Sequence, residues 1–66
     1  MKSNNWFQRI LTVGNTGPDV EIVQRRLRGK VTGTYDQHTA ALVRDRQHAQ
    51  CLLVTGMVDC TTAGVI

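Results

Sequence analysis

Residues 31–43, Val-Thr-Gly-Thr-Tyr-Asp-Gln-His-Thr-Ala-Ala-Leu-Val, return 23 positions later as residues 54–66, Val-Thr-Gly-Met-Val-Asp-Cys-Thr-Thr-Ala-Gly-Val-Ile. The two copies agree at Val31 and Val54, Thr32 and Thr55, Gly33 and Gly56, Asp36 and Asp59, Thr39 and Thr62, and Ala40 and Ala63, and each closes on an apolar pair. Whatever the chain folds into must accommodate the same local structure twice.

That local structure is an extended residue, a turn and a helix start. Gly33 and Gly56 permit the positive φ at which a chain reverses without a Cβ clash. Asp36 and Asp59, three residues on, are suited to cap a helix, because a carboxylate there accepts from first-turn N–H groups and meets the positive end of the helix dipole. Thr39 and Thr62 fall at the third helical position beside the cap. The two aspartates also admit a reading as a catalytic acid pair, but capping accounts for both.

Sixty-six residues make one small domain, which buries only about 60% of its unfolded surface and has a net stability of roughly 3–10 kcal/mol. With 41% apolar residues but one Trp, one Tyr and one Phe, the core is expected to consist of Val, Leu, Ile and Ala. An all-α fold with short connections suits that length. The formal charge is +3, and Arg25, Arg26 and Arg28 sit together. They read as a solvated helix face whose basic end complements the dipole. Specific nucleic-acid binding is not expected, since neither a recognition-helix pattern nor stacking aromatics accompany them.

No apolar run has the length of a signal-peptide core or of a membrane span, so the expectation is synthesis in a cytoplasm without a signal peptide and without membrane insertion. In that setting Cys51 and Cys60 are expected to be reduced. His48 and Cys51 have metal-ligand spacing, with Cys60 and His38 as further candidates, but zinc sites carry a clearer pattern, and neither a metal nor a cofactor is expected.

Taken in order, residues 3–11 offer caps at residues 3–5 and then Trp6, Phe7, Ile10 and Leu11 on one helical face, which predicts a short N-terminal helix. This extension is assigned to residues 1–12 and the domain proper to residues 13–66. Residues 13–17 are turn-rich, and Pro18 suits the first position of a helix. A helix is predicted over residues 18–28, with Val20, Val23 and Leu27 on one face and Gly29 as its C-terminal cap. The next is predicted over residues 37–50. A last one, starting near Cys60 and running to the end of the chain, is too short to be stable alone.

The order of these motifs resembles the small peptidoglycan-binding domain, a three-helix module found in cell-wall hydrolases. Residues 14–20 followed by residues 23–27, Val-Gln-Arg-Arg-Leu, are similar to its opening Gly-x-x-Gly-x-x-Val and Leu-Gln-x-x-Leu. Residues 39–47 resemble its Thr-x-x-Ala-Val-x-x-Phe-Gln, and residues 52–58 with Thr62 resemble its Leu-x-Val-Asp-Gly-x-Val and Thr. The resemblance implies a compact three-helix bundle, here with the extra N-terminal helix. The chain departs from the pattern in four places. Only Arg28, Gly29 and Lys30 stand where the family has a longer loop, Thr32 and Thr55 replace an Asp before the turn Gly, Ala63 replaces a Trp, and Arg46 replaces a core aromatic. A lone charge is costly to bury, so Trp6 and Phe7 are expected to fold back over the gap, with the Arg46 stem beneath a ring.

For function, the resemblance implies a non-catalytic module that recognises bacterial peptidoglycan. Its expected ligand contacts are Tyr35, Gln24, His38, Thr39 and Gln47, and the expected partner contacts are Trp6, Phe7 and Arg46. The alternative is a small structural or accessory protein of a phage virion, using the same fold to contact other virion proteins within a larger assembly. No acid and base pair of the kind glycoside cleavage needs is evident among the five acidic residues, so an enzyme is not expected.

Overall fold

The computed structural model describes residues 5–66, and among them three helices carry the regular structure: α1 over Pro18–Arg26, α2 over Gln37–Ala49 and α3 over Cys60–Ala63. Asp36 and Asp59 cap α2 and α3 as their place in the repeat requires, accepting from the backbone N–H of Thr39 at 2.9 Å and of Thr62 at 2.8 Å. Gly33 and Gly56 take φ of 83° and 79°, so each turn reverses where only glycine does so without a steric cost.

Helix ends differ from expectation in an instructive way. α1 stops at Arg26, and Arg28 itself takes the left-handed position at φ 60°, followed by Gly29 N–H donating to Gln24 C=O at 2.9 Å. α2 ends identically, with Cys51 at φ 59° and Leu52 N–H on Gln47 C=O at 2.9 Å. Both are Schellman closures, with a non-glycine residue where glycine is usual. α3 is a single turn closed at Gly64 rather than a helix running to Ile66.

The expected N-terminal helix is not formed over residues 5–11, and its proposed caps Ser3 and Asn4 lie outside the described residues. The segment is instead an irregular strap, with a turn at Asn5 and Trp6, a bend at Arg9 and a bridge at Leu11. Leu11 exchanges both backbone hydrogen bonds with Val58, at 3.0 and 2.9 Å. A helix would withdraw those two groups from Val58, and two turns of isolated helix have little stability to set against that. The strap then passes the first turn unit, where Thr16 faces Thr34 in a second antiparallel bridge and Tyr35 N–H donates to Asn15 C=O at 2.8 Å.

The strap and the two turns share one core with the helices. Val20, Val23, Ala40, Val43 and Ala63 come from helices, while Leu11, Tyr35, Val58 and Ile66 come from the segments between and around them. Trp6, Phe7 and Leu27 pack against that core from the edge. The two rings do fold back, but the cation against Trp6 is Arg26, 5.6 Å from the ring centroid, and not Arg46. Arg46 resolves its charge differently: its Nη1 donates to Val65 C=O at 3.1 Å beside the last helical turn.

Candidate functional site

Two buried glutamines tie each helix to the turn that follows it. The Gln24 amide nitrogen donates to Thr34 C=O and Thr39 Oγ1 at 2.9 Å and to Thr32 Oγ1 at 3.1 Å, while its oxygen accepts from Thr32 and Gly33 N–H at 2.8 and 3.0 Å. Gln47 repeats the pattern 23 residues later. It donates to Met57 C=O and Thr62 Oγ1 at 3.0 Å and to Thr55 Oγ1 at 3.2 Å, and accepts from Thr55 and Gly56 N–H at 3.0 Å. The repeat is therefore longer than the turn and the helix start. It includes the glutamine of the preceding helix, and the repeated spacing of Thr, Gly and Thr within each copy surrounds one planar amide with acceptors for its two N–H donors and with two backbone N–H groups for its oxygen.

These bonds decide what the sequence-expected ligand residues do. Gln24, Gln47, Thr39 and Tyr35 are all buried. Thr39 hydroxyl, besides accepting from Gln24, donates to Asp36 Oδ1 at 3.0 Å, and the bonds from Thr39 N–H and hydroxyl hold the Asp36 carboxyl below the usual carboxylate range. Tyr35 lies in the centre of the core with its hydroxyl donating to Gly56 C=O, which joins the two turn units, and burial pushes its pKa up to about 12. Only His38 of the five presents an exposed side chain. Cys51 and Cys60 are exposed free thiols. Among the described residues no group of three or more His, Cys, Asp or Glu stands where it could hold a metal ion, and no helix is long and apolar enough to cross a membrane.

A concave surface opens elsewhere, between the strap and the start of α1. Trp6, Gln8 and Arg9 from the strap and Thr16, Gly17, Pro18, Asp19 and Ile22 from the turn and α1 line a cleft of about 360 Å³. Arg9 crosses it. Its Nε donates to Asp19 Oδ2 at 2.9 Å, and its Nη2 to Thr16 C=O at 2.7 Å and Asp19 Oδ1 at 3.3 Å. Asp19 Oδ1 also accepts from Val20 N–H at 2.9 Å. The Arg9 hydrogen bond is the main reason the Asp19 carboxyl lies below its ordinary range, and in return the Arg9 guanidinium is raised. Trp6 is held on two sides, by Arg26 against its ring and by Phe7 edge-on at 5.9 Å and 86°.

Residues 16–66 match the sequence model of the family described as Putative peptidoglycan binding domain. The chain belongs to that family. No curated protein and no solved structure matches it. The match begins at Thr16, so both glutamine-centred units of this peptidoglycan-binding domain lie inside it, while Trp6, Gln8 and Arg9 precede it. Five of the cleft's lining residues thus lie within the family match and three, Trp6, Gln8 and Arg9, lie outside it.

Sequence reasoning missed Gln8, Arg9, Pro18, Asp19 and Ile22 as cleft residues of this domain. The helical reading of residues 3–11 singled out only Trp6, Phe7, Ile10 and Leu11 and gave Arg9 no part. The usable clue was the turn-rich segment of residues 13–17, which returns the chain on itself and brings residues before it alongside residues after it.

Proposed function

We propose that this domain binds bacterial peptidoglycan without acting on it chemically, and that the cleft between strap and α1 is where it does so. The observation that carries the reading is the lining of that cleft: a fixed indole, an amide and a bidentate Arg9–Asp19 pair around about 360 Å³, which is the mixture of apolar walls and a few placed polar groups typical of small-ligand sites. Family membership names the polymer. Family membership in a binding domain also supports the non-catalytic reading. Asp19 is ionised by its Arg9 partner, and hydrolysis of a glycosidic bond needs a second carboxyl able to deliver a proton. In this reading Gln24, Thr39, Gln47 and Tyr35 support binding from beneath by fixing the turns, and His38 lies on the exposed start of α2.

Cosedimentation with purified sacculi tests the reading. Wild-type protein is expected in the pellet, and Arg9→Ala, an exposed position whose loss leaves the core untouched, is expected mostly in the supernatant. Folded wild-type protein that stays in solution refutes the proposal. One observation favours the second role, protein contact within an assembly such as a virion: Leu53 is 84% exposed and Ile10 58% exposed. Self-association or partner capture lost in Leu53→Ser, without sacculus binding, supports that role instead.

A further inference from the structure

Peptidoglycan offers two chemically distinct ligands, a glycan strand of N-acetylated amino sugars and a stem peptide with free carboxylates. The cleft distinguishes between them. Its one cation and its one anion face each other, so the pair brings no net charge to the ligand. A peptide carboxylate would meet a guanidinium already neutralised by Asp19: at Nη1 it would sit beside that like charge, and elsewhere it would have to displace the two hydrogen bonds at 2.9 and 3.3 Å. Of the two partners, Asp19, whose side chain is 17% exposed against 47% for Arg9, is the costlier to leave unpaired.

A neutral sugar asks for something different. Hydroxyl and acetamido groups each carry donors and acceptors, and they can add to a closed ion pair without opening it. Among the described residues the Arg9–Asp19 pair leaves Nη1 of the guanidinium unused, and Gln8 contributes an exposed amide on the same rim. The carbon-bound faces of a pyranose are apolar, and Trp6, Pro18 and Ile22 supply apolar surface around the pair. Trp6 is already immobilised between Arg26 and Phe7, so little side-chain freedom remains to be lost on binding.

From this we infer that the cleft takes the glycan strand, an N-acetylated pyranose unit, and not the stem peptide. The inference rests on the peptidoglycan reading above and narrows it. It also assigns specificity to the strap, which lies outside the family match.

Nitrogen–proton correlation spectra of the full chain, titrated in turn with a soluble β-1,4-linked tetramer of N-acetylglucosamine and with an isolated stem tetrapeptide, test it. The tetramer is expected to shift the Trp6 indole and Arg9 Nε resonances, with an affinity at least about tenfold weaker in Arg9→Ala and unchanged at about 0.5 M salt, since no charge contact is made with the ligand. Stem peptide is expected to leave both resonances in place. Shifts produced by the peptide and not by the sugar overturn the inference, as do sugar shifts confined to residues outside the cleft. Sacculus binding with no response to the tetramer refutes only the glycan assignment. Absence of sacculus binding refutes the broader reading as well. Dispersed amide spectra of Arg9→Ala exclude unfolding as the cause of any loss.

Discussion

Replacing Gln47 with Leu keeps the volume of the side chain and removes every hydrogen bond it makes. Its partners do not suffer equally. Thr55 and Met57 are exposed, so water can replace the amide there, whereas Gly56 is buried and Thr62 is only 2% exposed. Two buried polar groups are stranded, and at about 1–3 kcal/mol each the expected loss is about 3–4 kcal/mol. The equivalent change at Gln24 strands no buried group outright, because Thr39 keeps its hydroxyl bond to Asp36, Thr32 and Thr34 are exposed and Gly33 is half-buried, and its expected loss is smaller, about 2 kcal/mol. With a total stability of roughly 3–10 kcal/mol, Gln47→Leu removes a large share of it. Urea denaturation followed by circular dichroism reads both. For a denaturant slope of about 1 kcal/mol/M, the midpoint drops by about 3 M for Gln47→Leu and about 2 M for Gln24→Leu. Equal losses, the reverse order, or a shift below about 1 M for Gln47→Leu would refute the view that stranded buried partners determine the cost.

Three further outcomes follow from the same geometry. Burial pushes the Tyr35 pKa up to about 12 from its ordinary 10.0; its contribution is complete below the unfolded value and is lost as pH rises from about 10 to 12, so a base-induced loss of stability seen in wild type should be absent in Tyr35→Phe. Asp19 is shifted the other way, chiefly by Arg9; its contribution is present above its unfolded value and is lost as pH falls through the lower folded one, so Asp19→Asn should flatten the acid limb of a stability–pH profile recorded below about pH 4. Cys51 occupies φ 59° at the close of α2, and Cys51→Gly should raise stability by about 0.5–1 kcal/mol in the same urea assay, because a left-handed position disfavours a Cβ by about 1 kcal/mol and glycine recovers most of it.

Much of the scaffold was legible because its determinants are local. Gly33, Asp36 and Thr39, and Gly56, Asp59 and Thr62, each act within a few residues of one another, and the turn and cap they predict are present. What the sequence did not disclose is long-range. Gln24 reaches eight to fifteen residues ahead for its partners, and nothing at the glutamine itself distinguishes a solvated amide from a buried one. The strap was misread for a related reason. Trp6, Phe7, Ile10 and Leu11 have helical spacing, but they are placed by partners far along the chain: Leu11 by Val58 and Trp6 by Arg26. Residues that look like a helix face in isolation were instead an irregular segment held at several points.

That misreading bears on where function resides. A repeated unit presents the same chemistry twice, and here both copies spend it internally: Gln24 and Gln47 occupy equivalent cradles, and each leaves its threonines and turn amides satisfied. The proposed ligand site accordingly draws on what breaks the equivalence. The strap does so, since it meets the first turn through Asn15 and Thr16 and the second through Leu11. The repeat maps Pro18, Asp19 and Ile22 of the cleft onto Ala41, Leu42 and Asp45 of α2. Leu42, at the place of Asp19, lies over Gly29, where an added Cβ would come within 2.4 Å of its Cδ1, and it offers no charge with which to anchor an arginine. The second unit thus lacks the partner that a strap needs, and the Arg9–Asp19 pair on which the proposed cleft is built has no counterpart there.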